Sequence, residues 1–253
     1  MKSADEIRNA VEKRYAEIAK SGSSCCGDQT LVQIGYKHEE LEALPQEALM
    51  GLGCGSPVRL AELREGETVV DLGSGGGIDV FLAARQVGPA GRVIGVDMTS
   101  EMLARARANA ERQGVQNVEF RQGLIEALPV SDHSVDVILS NCVINLAPDK
   151  SLVFKEAFRV LRPGGRLVVS DMVARGELPG EIKEDPQLWA SCIGGALPEE
   201  EYLGTIRGAG FPAVEVLTRE GLEMGHVYSV TVRATKIVGG GLDGPQISRR
   251  PGS

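Results

Sequence analysis

Short apolar runs alternate along the chain with longer segments in which apolar residues recur every three or four positions. Runs of the first kind are typical of strands buried on both faces, and segments of the second kind are typical of amphipathic helices. The runs predict strands over residues 69–71, 92–96, 118–122, 135–140, 166–171, 213–218 and 227–234. The other segments predict helices over residues 1–20, from residue 78, from Thr99 or Ser100 to residue 113, from a cap at Asp149 to residue 160, and from Pro198 to Gly210. Repeated strand–helix units indicate a parallel sheet with helices on both faces.

A glycine turn follows the first predicted strand, in the segment VVDLGSGGGIDVFLAARQVGPAGRVIGVD. Gly73, Gly75 and Gly77 lack β-carbons where the backbone must turn and approach a ligand closely. The helix that begins near Ile78 points its N-terminal amides at the same place. Asp97 ends the next strand, where a carboxylate can accept hydrogen bonds from both ribose hydroxyls. These features predict a nucleoside-binding βαβ unit.

The spacing of the glycines indicates which nucleoside is bound. A dinucleotide fingerprint requires G-x-G-x-x-G, but Ile78 occupies the place of its last glycine. No Lys-Ser or Lys-Thr pair follows, which excludes a phosphate-binding loop of the nucleotide triphosphatases. With Asp71 just before the first glycine, the segment resembles motif I of class I S-adenosylmethionine (SAM) methyltransferases. That resemblance implies a Rossmann-like α/β fold, a doubly wound and mostly parallel sheet with a terminal antiparallel strand.

Candidate SAM-binding residues surround this turn. The pattern itself assigns the glycines and Asp97, and the resemblance implies the remainder. Asp71, Gly73, Ser74, Gly75 and Gly77 are expected on the amino-acid and ribose side, Asp97 at the ribose hydroxyls, Met98, Ile125 and Glu126 around the adenine, and Asn141 near the methionine moiety. A second interpretation of Asp71 is that it only caps the turn, since acids are common before glycine turns.

Composition and charge restrict the classes of partner. The net charge is −8 and no basic stripe is present, which argues against nucleic acid. No apolar run is long enough to span a membrane, and the N-terminal segment is not typical of a signal peptide. It instead predicts an amphipathic helix with Ile7, Val11, Tyr15 and Ile18 on one face. We therefore expect a cytoplasmic protein with neither nucleic-acid nor membrane partners.

Two segments, residues 21–66 and 173–197, do not fit the alternation of strands and helices, and we expect both to cover the substrate. The predicted division is an N-terminal helix and cysteine-bearing cap over 1–66, a SAM-binding core over 67–172, a substrate-covering insertion over 173–197, the C-terminal part of the core over 198–236 and a disordered tail over 237–253. A connection as long as 173–197 inside a compact domain is usually functional or disordered. Ligands of doubly wound sheets bind beyond the carboxyl ends of the strands, where such segments can form a roof.

The five cysteines indicate the chemistry of the substrate. None forms a C-x-x-C pair, and a lone free cysteine is usually a small buried apolar residue. Three positions favour a functional interpretation. Cys142 ends the fourth strand, Cys54 is flanked by glycines, and Cys192 lies in the insertion close to a glycine pair. Three thiols converging on a methyl donor predict a soft, thiophilic substrate.

The chain resembles the arsenite SAM methyltransferases over about residues 23–235. The resemblance rests on the segments GLGCGSP, DLGSGGGIDVFLAA, GVDMT, SNCVINL and ASCIGGA. It implies that Cys54, Cys142 and Cys192 bind trivalent arsenic or its thiol adducts, and that Cys25 or Cys26 takes part in disulfide exchange. It further implies SAM as the methyl donor, thioredoxin or glutathione as the reductant, and a role in arsenic detoxification.

Two alternatives remain at this point. One is a methyltransferase for an ordinary small molecule, such as a quinone precursor, a sterol or an amine, in which the cysteines are incidental. The other is a protein that sequesters or senses a metal or metalloid, because three thiolates and a water also satisfy zinc.

Overall fold

The computed structural model describes residues 3–21, 28–219 and 222–237, and its centre is an eight-stranded sheet. The strands are β1 (Thr68–Leu72), β2 (Arg92–Asp97), β3 (Val118–Gln122), β4 (Val135–Asn141), β5 (Leu161–Ala174), β6 (Ala213–Thr218), β7 (Glu223–Met224) and β8 (Val227–Thr235). Their order is β3-β2-β1-β4-β5-β8-β6, and the short β7 pairs with β8. β1 to β5 are parallel, whereas β8 is antiparallel to both β5 and β6. The predicted mostly parallel sheet with a terminal antiparallel strand is confirmed.

Helices cover both faces of the sheet. They are α1 (Ala4–Ser21), α2 (Asp28–Gln33), α3 (His38–Glu42), α4 (Pro57–Leu60), α5 (Ile78–Val87), α6 (Ser100–Gln113), α7 (Lys150–Val160), α8 (Gly180–Glu184), α9 (Pro186–Trp189) and α10 (Glu199–Gly208), with 3₁₀ turns at Gln46–Ala48 and Ile144–Leu146. One core contains Phe81 of α5 and Leu103 of α6. The other contains Phe154 of α7 and Tyr202 of α10, whose rings meet edge to face at 5.6 Å. The sheet is therefore buried on both sides, as a parallel sheet requires.

Local signals set most of the helix ends. The Asp149 side chain accepts hydrogen bonds from the backbone N–H groups of Ser151 and Leu152, at 2.9 and 3.3 Å, and so caps α7 as predicted. Gly114 ends α6 with φ of +64°, a left-handed conformation that suits glycine. The N-terminal helix predicted over residues 1–20 is confirmed, and it extends from Ala4 to Ser21.

The disordered tail is predicted over residues 237–253, and every residue after Ile237 lies outside the described part of the chain.

The fifth strand is longer than its sequence pattern predicts. It continues past Asp171 to Ala174 because β8 pairs with it from Arg166 to Ala174. The following segment then leaves the sheet and returns where Ala174 N–H donates to the carbonyl of Leu197 at 2.8 Å. In the described ranges, no helix has both the length and the apolar character needed to cross a membrane.

Candidate active site

A pocket lies beyond the carboxyl ends of β1, β2 and β4, and α1 crosses over it. Val11, Tyr15 and Ile18 of α1 face the pocket, as the predicted amphipathic face requires. Polar contacts fix both ends of the helix. Arg8 pairs with Glu126 at 3.1 Å, and Arg105 donates to the carbonyl of Ala19 at 2.7 Å. The N-terminal segment thus forms a wall of the pocket.

The glycine turn has the backbone conformation that its sequence predicts. Gly73, Gly75 and Gly77 have φ of +65°, +49° and +95°, all in the region that side chains rarely adopt. A β-carbon at Gly73 would lie 2.4 Å from Val143, so that position also requires close approach. At Gly75 nothing lies within 4 Å of an added β-carbon, and its backbone borders the open pocket. This turn can approach a ligand closely.

Asp97 lies in the wall of the pocket, where the ribose is predicted to bind. Its carboxylate accepts the N–H of Gly75 at 3.0 Å and the N–H of Thr99 at 2.8 Å. Each oxygen retains a lone pair that can accept a ligand hydroxyl. Burial raises the pKa of Asp97, and the two backbone hydrogen bonds oppose this rise.

All but one of the predicted SAM-binding residues border one pocket. Those in its wall are Asp71, Gly73, Ser74, Gly75, Asp97, Met98, Ile125, Glu126 and Asn141. Gly77 does not line the pocket and is the N-cap residue of α5. Two of the side chains have further structural contacts, because Glu126 pairs with Arg8 and Asn141 bonds to the Cys54 loop. Their contacts with a bound ligand remain predictions.

Three buried carboxylates favour a cationic ligand in this pocket. Asp71, Asp79 and Asp97 all line it, and each is less than a tenth exposed. Burial, followed by the charges of Asp79 and Asp97, raises the pKa of Asp71 well above its usual range. A ligand that carries positive charge relieves this repulsion. The glycine cradle, the hydroxyl acceptor and the negative wall together fit SAM, which carries ribose hydroxyls, an ammonium group and a sulfonium.

The three cysteines singled out by position belong to one packed cluster, in which Cys142 and Cys192 line the pocket and Cys54 is fully buried beside them. The Sγ atoms of Cys54 and Cys142 and a carboxylate oxygen of Asp171 are all within 4.8 Å of one another. Cys192, from the segment after β5, lies next to Cys142, and its thiol donates to the Cys142 carbonyl at 2.7 Å, but its sulfur is not one of the three ligand atoms in that group. The other two candidates, Cys25 and Cys26, lie outside the described residues.

The backbone at two of these cysteines is strained. Cys142 has φ of +57° and Cys192 has φ of +64°, which are uncommon for residues other than glycine. Such conformations cost about 1–3 kcal/mol each and cluster at active sites and ligand-binding sites, although Glu62 and His133, which do not line the pocket, also have positive φ. Cys142 N–H donates to the carbonyl of Ser170 at 2.8 Å, which fixes it at the junction of β4 and β5.

The Cys54 loop is attached to the end of β4 by Asn141. Cys54 N–H donates to Asn141 Oδ1 at 3.0 Å, and Asn141 Nδ2 donates to the carbonyl of Gly55 at 2.7 Å. A β-carbon at Gly53 would lie 2.8 Å from the Asn141 amide, and one at Gly55 would lie 2.6 Å from Ser170. The two flanking glycines thus allow the thiol loop to lie directly against the sheet.

Three residues that sequence reasoning missed support this arrangement. Tyr36 donates its hydroxyl to both carboxylate oxygens of Asp79 at 2.9 Å, and Asn141 Nδ2 donates to the Tyr36 oxygen at 2.9 Å. Burial raises the pKa of Asp79 to about 6.

The third residue, after Tyr36 and Asp79, is Asp171, which lies beside the thiols of Cys54 and Cys142. Asp171 could have been found, because it follows an apolar strand as Asp71 and Asp97 do, whereas nothing near Tyr36 in the sequence indicates its contacts.

The thiols are protonated in the free protein near neutral pH. Burial raises the pKa of Cys54, and the hydrogen bond with Cys142, followed by burial, raises the pKa of Cys192 well above its usual range. A ligand that binds through sulfur must therefore displace these protons.

Comparison with known proteins connects the pocket and the thiols to one family. A methyltransferase-domain family model matches residues 63–224. An arsenite methyltransferase of Halobacterium salinarum is 44% identical over 234 residues, which are 85% of this chain and 60% of the relative. The crystal structure of an arsenic(III) SAM methyltransferase from Chlamydomonas reinhardtii matches with 34% identity and a TM-score of 0.69, over 85% of this chain and 76% of that one. The chain belongs to the arsenite SAM methyltransferase family.

Membership of this family confirms the class I SAM methyltransferase fold. The chain spans about 60% of the length of the curated arsenite methyltransferases that it matches. A demethylmenaquinone methyltransferase of Lactococcus lactis is 42% identical, but over only 103 residues, 41% of this chain. Similarity to the arsenite methyltransferases thus covers about twice as much of the chain as similarity to this quinone-precursor enzyme.

Proposed function

We propose that the protein is a SAM-dependent methyltransferase that acts on trivalent arsenic bound by cysteine thiolates. The observation that carries the proposal is the clustering of Cys54, Cys142 and Cys192 beside the pocket that fits SAM, whose wall includes Cys142 and Cys192. Relatives that cover most of this chain are named arsenite methyltransferases, which supports the choice of substrate.

The chain supplies binding and orientation for the methyl donor. Asp97 accepts the ribose hydroxyls, the glycine turn supports the amino-acid and ribose portions, and Met98, Ile125 and Glu126 surround the adenine. When bound, SAM supplies an electrophilic methyl group on a sulfonium whose leaving group is a neutral thioether. The chemistry therefore needs little acid–base assistance, and proximity and orientation provide most of the rate.

Arsenic binds by exchange of its hydroxyl or thiol ligands for protein thiolates. Arsenous acid has three hydroxyl groups, and reaction with three thiols forms three As–S bonds and releases three waters. The thiol protons leave in this water, so the raised thiol pKa values do not prevent binding. Arsenic with three sulfur ligands is pyramidal and retains a lone pair. In the proposal, arsenic bound by Cys54, in the loop before α4, and Cys142, directly after β4, presents this lone pair to the methyl donor.

Reduction completes the proposed cycle. Two of the sulfur ligands leave pentavalent arsenic as a disulfide, and the electron pair left on arsenic returns it to the trivalent state. Cys25 or Cys26 exchanges with this disulfide, and an external thiol system, thioredoxin or glutathione, reduces it to thiols. A protein that depends on such reductants operates in the cytoplasm. These parts of the proposal rest on the family and lie outside the described contacts.

The test is to incubate the protein with arsenite, SAM and glutathione and to separate the arsenic species by chromatography. Methylated arsenicals are expected, and the Cys142→Ser variant, folded and able to bind SAM, is expected to form none. Methylation of an organic acceptor that is insensitive to Cys142→Ser would indicate a small-molecule methyltransferase. Stoichiometric zinc in protein purified without chelator, together with no SAM binding, would indicate a sequestering protein.

A further inference from the structure

Asp171 is a fully buried carboxylate placed beside the arsenic-binding thiols. It is 0% exposed, and one of its oxygens is within 4.8 Å of the Sγ atoms of Cys54 and Cys142. Three neutral donors hold it. Met172 N–H donates to Oδ1 at 3.0 Å, and Asn145 N–H and the Tyr202 hydroxyl donate to Oδ2 at 3.1 and 3.2 Å. Burial raises the pKa of Asp171 to about 7, and the charge of Lys150 and these three donors oppose the rise. The donors thus favour the ionised form and hold the carboxylate in a fixed orientation.

Asp171 has no ion-pair partner within 4 Å among residues 3–21, 28–219 and 222–237. Lys150 is the buried cation in this region, but its Nζ donates to the carbonyls of Asn145 and Ala147 at 3.5 and 3.4 Å. The same ammonium lies 5.5 Å from the centre of the Trp189 ring. Lys150 therefore makes burial of the Asp171 charge less unfavourable through its electrostatic attraction, but it does not form an ion pair with Asp171.

The carboxylate does not help the thiols to ionise. Burial raises the pKa of the Cys54 thiol, and the negative charge of Asp171 raises it further. A buried Asp171 carboxylate beside thiols that must become thiolates is unfavourable, because like charges repel. It can be useful only if a positive charge forms nearby during the reaction. Arsenic held by three thiolates is neutral, so the loaded state does not supply that charge.

Positive charge arises on arsenic in the transfer step of the proposed function, on which this inference rests. The arsenic lone pair forms the new As–C bond, the electrons of the donor's S–C bond remain on its sulfur, and the sulfonium charge is thereby transferred to arsenic. Arsenic is formally oxidised from the trivalent to the pentavalent state. We propose that the Asp171 carboxylate faces arsenic bound between Cys54 and Cys142 and stabilises the positive charge that arsenic acquires.

A charge that is already oriented and shielded from water is effective in this role because nothing has to reorganise when arsenic becomes cationic. The proposal predicts opposite effects of Asp171→Asn on two steps. The thiols ionise more readily and arsenite binds at least as tightly, whereas the first methyl transfer is slowed about 100-fold, the scale of removing one oriented electrostatic contact. A structural role for Asp171 would weaken both steps together.

The experiment measures the two steps separately in the full chain. Thiolate absorbance against pH is recorded without arsenic or SAM, and arsenite binding is followed by Trp189 fluorescence. Protein loaded with arsenite is then mixed with SAM and quenched within one turnover, and methylated arsenic is quantified. Tyr202→Phe, which removes one hydrogen bond but keeps the charge, is expected to retain most of the transfer rate. Asp132→Asn is the control for loss of an exposed carboxylate, and we expect it to match wild type.

The inference is supported if Asp171→Asn shifts thiolate formation to lower pH, keeps arsenite binding and loses about 100-fold in transfer rate. It is overturned if the transfer rate stays within threefold of wild type, or if binding and transfer fall together. If Asp171→Asn does not fold, Asp171→Glu and Asp171→Gln are compared with each other instead. Their side chains are nearly equal in size, and only that of Asp171→Glu carries a negative charge. Wild-type protein that binds arsenite and SAM but forms no methylated arsenic would instead overturn the proposed function.

Discussion

Asn141 and Cys54, 87 residues apart in the chain, are joined by a hydrogen bond of 3.0 Å from the Cys54 N–H to the Asn141 amide oxygen. The amide nitrogen of the same side chain donates to the carbonyl of Gly55 and to the hydroxyl of Tyr36. Asn141 directly precedes Cys142. One side chain at the end of β4 therefore links the loop of Cys54 to the strand that precedes Cys142, and these are two of the thiols proposed to bind arsenic.

The first prediction concerns this contact. Asn141→Ala removes the only amide that joins the Cys54 loop to β4 in the described part of the chain, and leaves the Cys54 N–H without that acceptor. We expect a loss of about 1–3 kcal/mol in unfolding free energy and a lower methylation rate in folded protein. Urea titration and arsenic speciation measure the two effects. A variant with wild-type methylation would contradict the assigned role of Asn141.

Asp97→Ala is expected to weaken SAM binding by about 1–3 kcal/mol, because a charged acceptor for two hydroxyls is lost. The structure adds a second cause, since the same carboxylate orders the N–H groups of Gly75 and Thr99. Isothermal calorimetry measures the affinity, and Asp132→Asn is a control far from the pocket. An unchanged affinity for SAM would show that Asp97 does not accept the ribose hydroxyls.

Trp189, the only tryptophan of the chain, reports on the segment after β5. Its indole N–H donates to the carbonyl of Leu146 at 3.2 Å, and it lies three residues before Cys192. Binding of arsenic to Cys192 is therefore expected to change the Trp189 fluorescence. A titration with arsenite measures this, with Cys192→Ser as the matched control. If protein known to bind arsenite gave a flat titration, the segment would not respond to the substrate.

The cysteines are expected to differ between methylation steps. Cys54→Ser and Cys142→Ser should abolish methylation of both arsenite and methylarsenite, because two sulfurs are needed to orient the metalloid. Cys192→Ser should lose activity on arsenite but retain some on methylarsenite, which has one ligand position fewer. Rates with each substrate in excess thiol provide the comparison. Wild-type rates of both Cys54→Ser and Cys142→Ser on methylarsenite would favour an ordinary small-molecule methyltransferase.

Asp79 is expected to make stability depend on pH. Burial raises its pKa to about 6 in the folded protein, whereas an unfolded aspartate has a pKa of about 4. The folded state therefore holds the proton more tightly, and this contribution to stability is lost as pH rises from about 4 through about 6. Between those limits, the unfolding free energy of wild type should fall relative to that of Asp79→Asn by up to about 3 kcal/mol. Urea titrations from pH 4 to pH 8 measure the difference, and parallel pH profiles would contradict the assignment.

Part of the pocket that fits SAM could be predicted because the residues that form that part are close in sequence. The glycine turn and Asp97 belong to one βαβ unit, in which strand, turn and helix determine the geometry locally. Cys54, Cys142 and Cys192 were identified from their positions at loops and strand ends. Asp171 has the same signal, an acid that ends an apolar strand, but nothing in the sequence indicates that it lies beside the thiols.

By itself, the sequence determined the alternation of strands and helices, the nucleoside-binding turn and the three cysteines, because periodicity, glycines and capping residues act over a few neighbouring positions. Only the tertiary structure decided how β8 extends β5, how Asn141 and Tyr36 hold the Cys54 loop, and which charge lies against the thiols. These relationships depend on contacts between residues far apart in the chain, such as Tyr36 and Asn141, which are 105 positions apart, and the packing of the sheet brings them together.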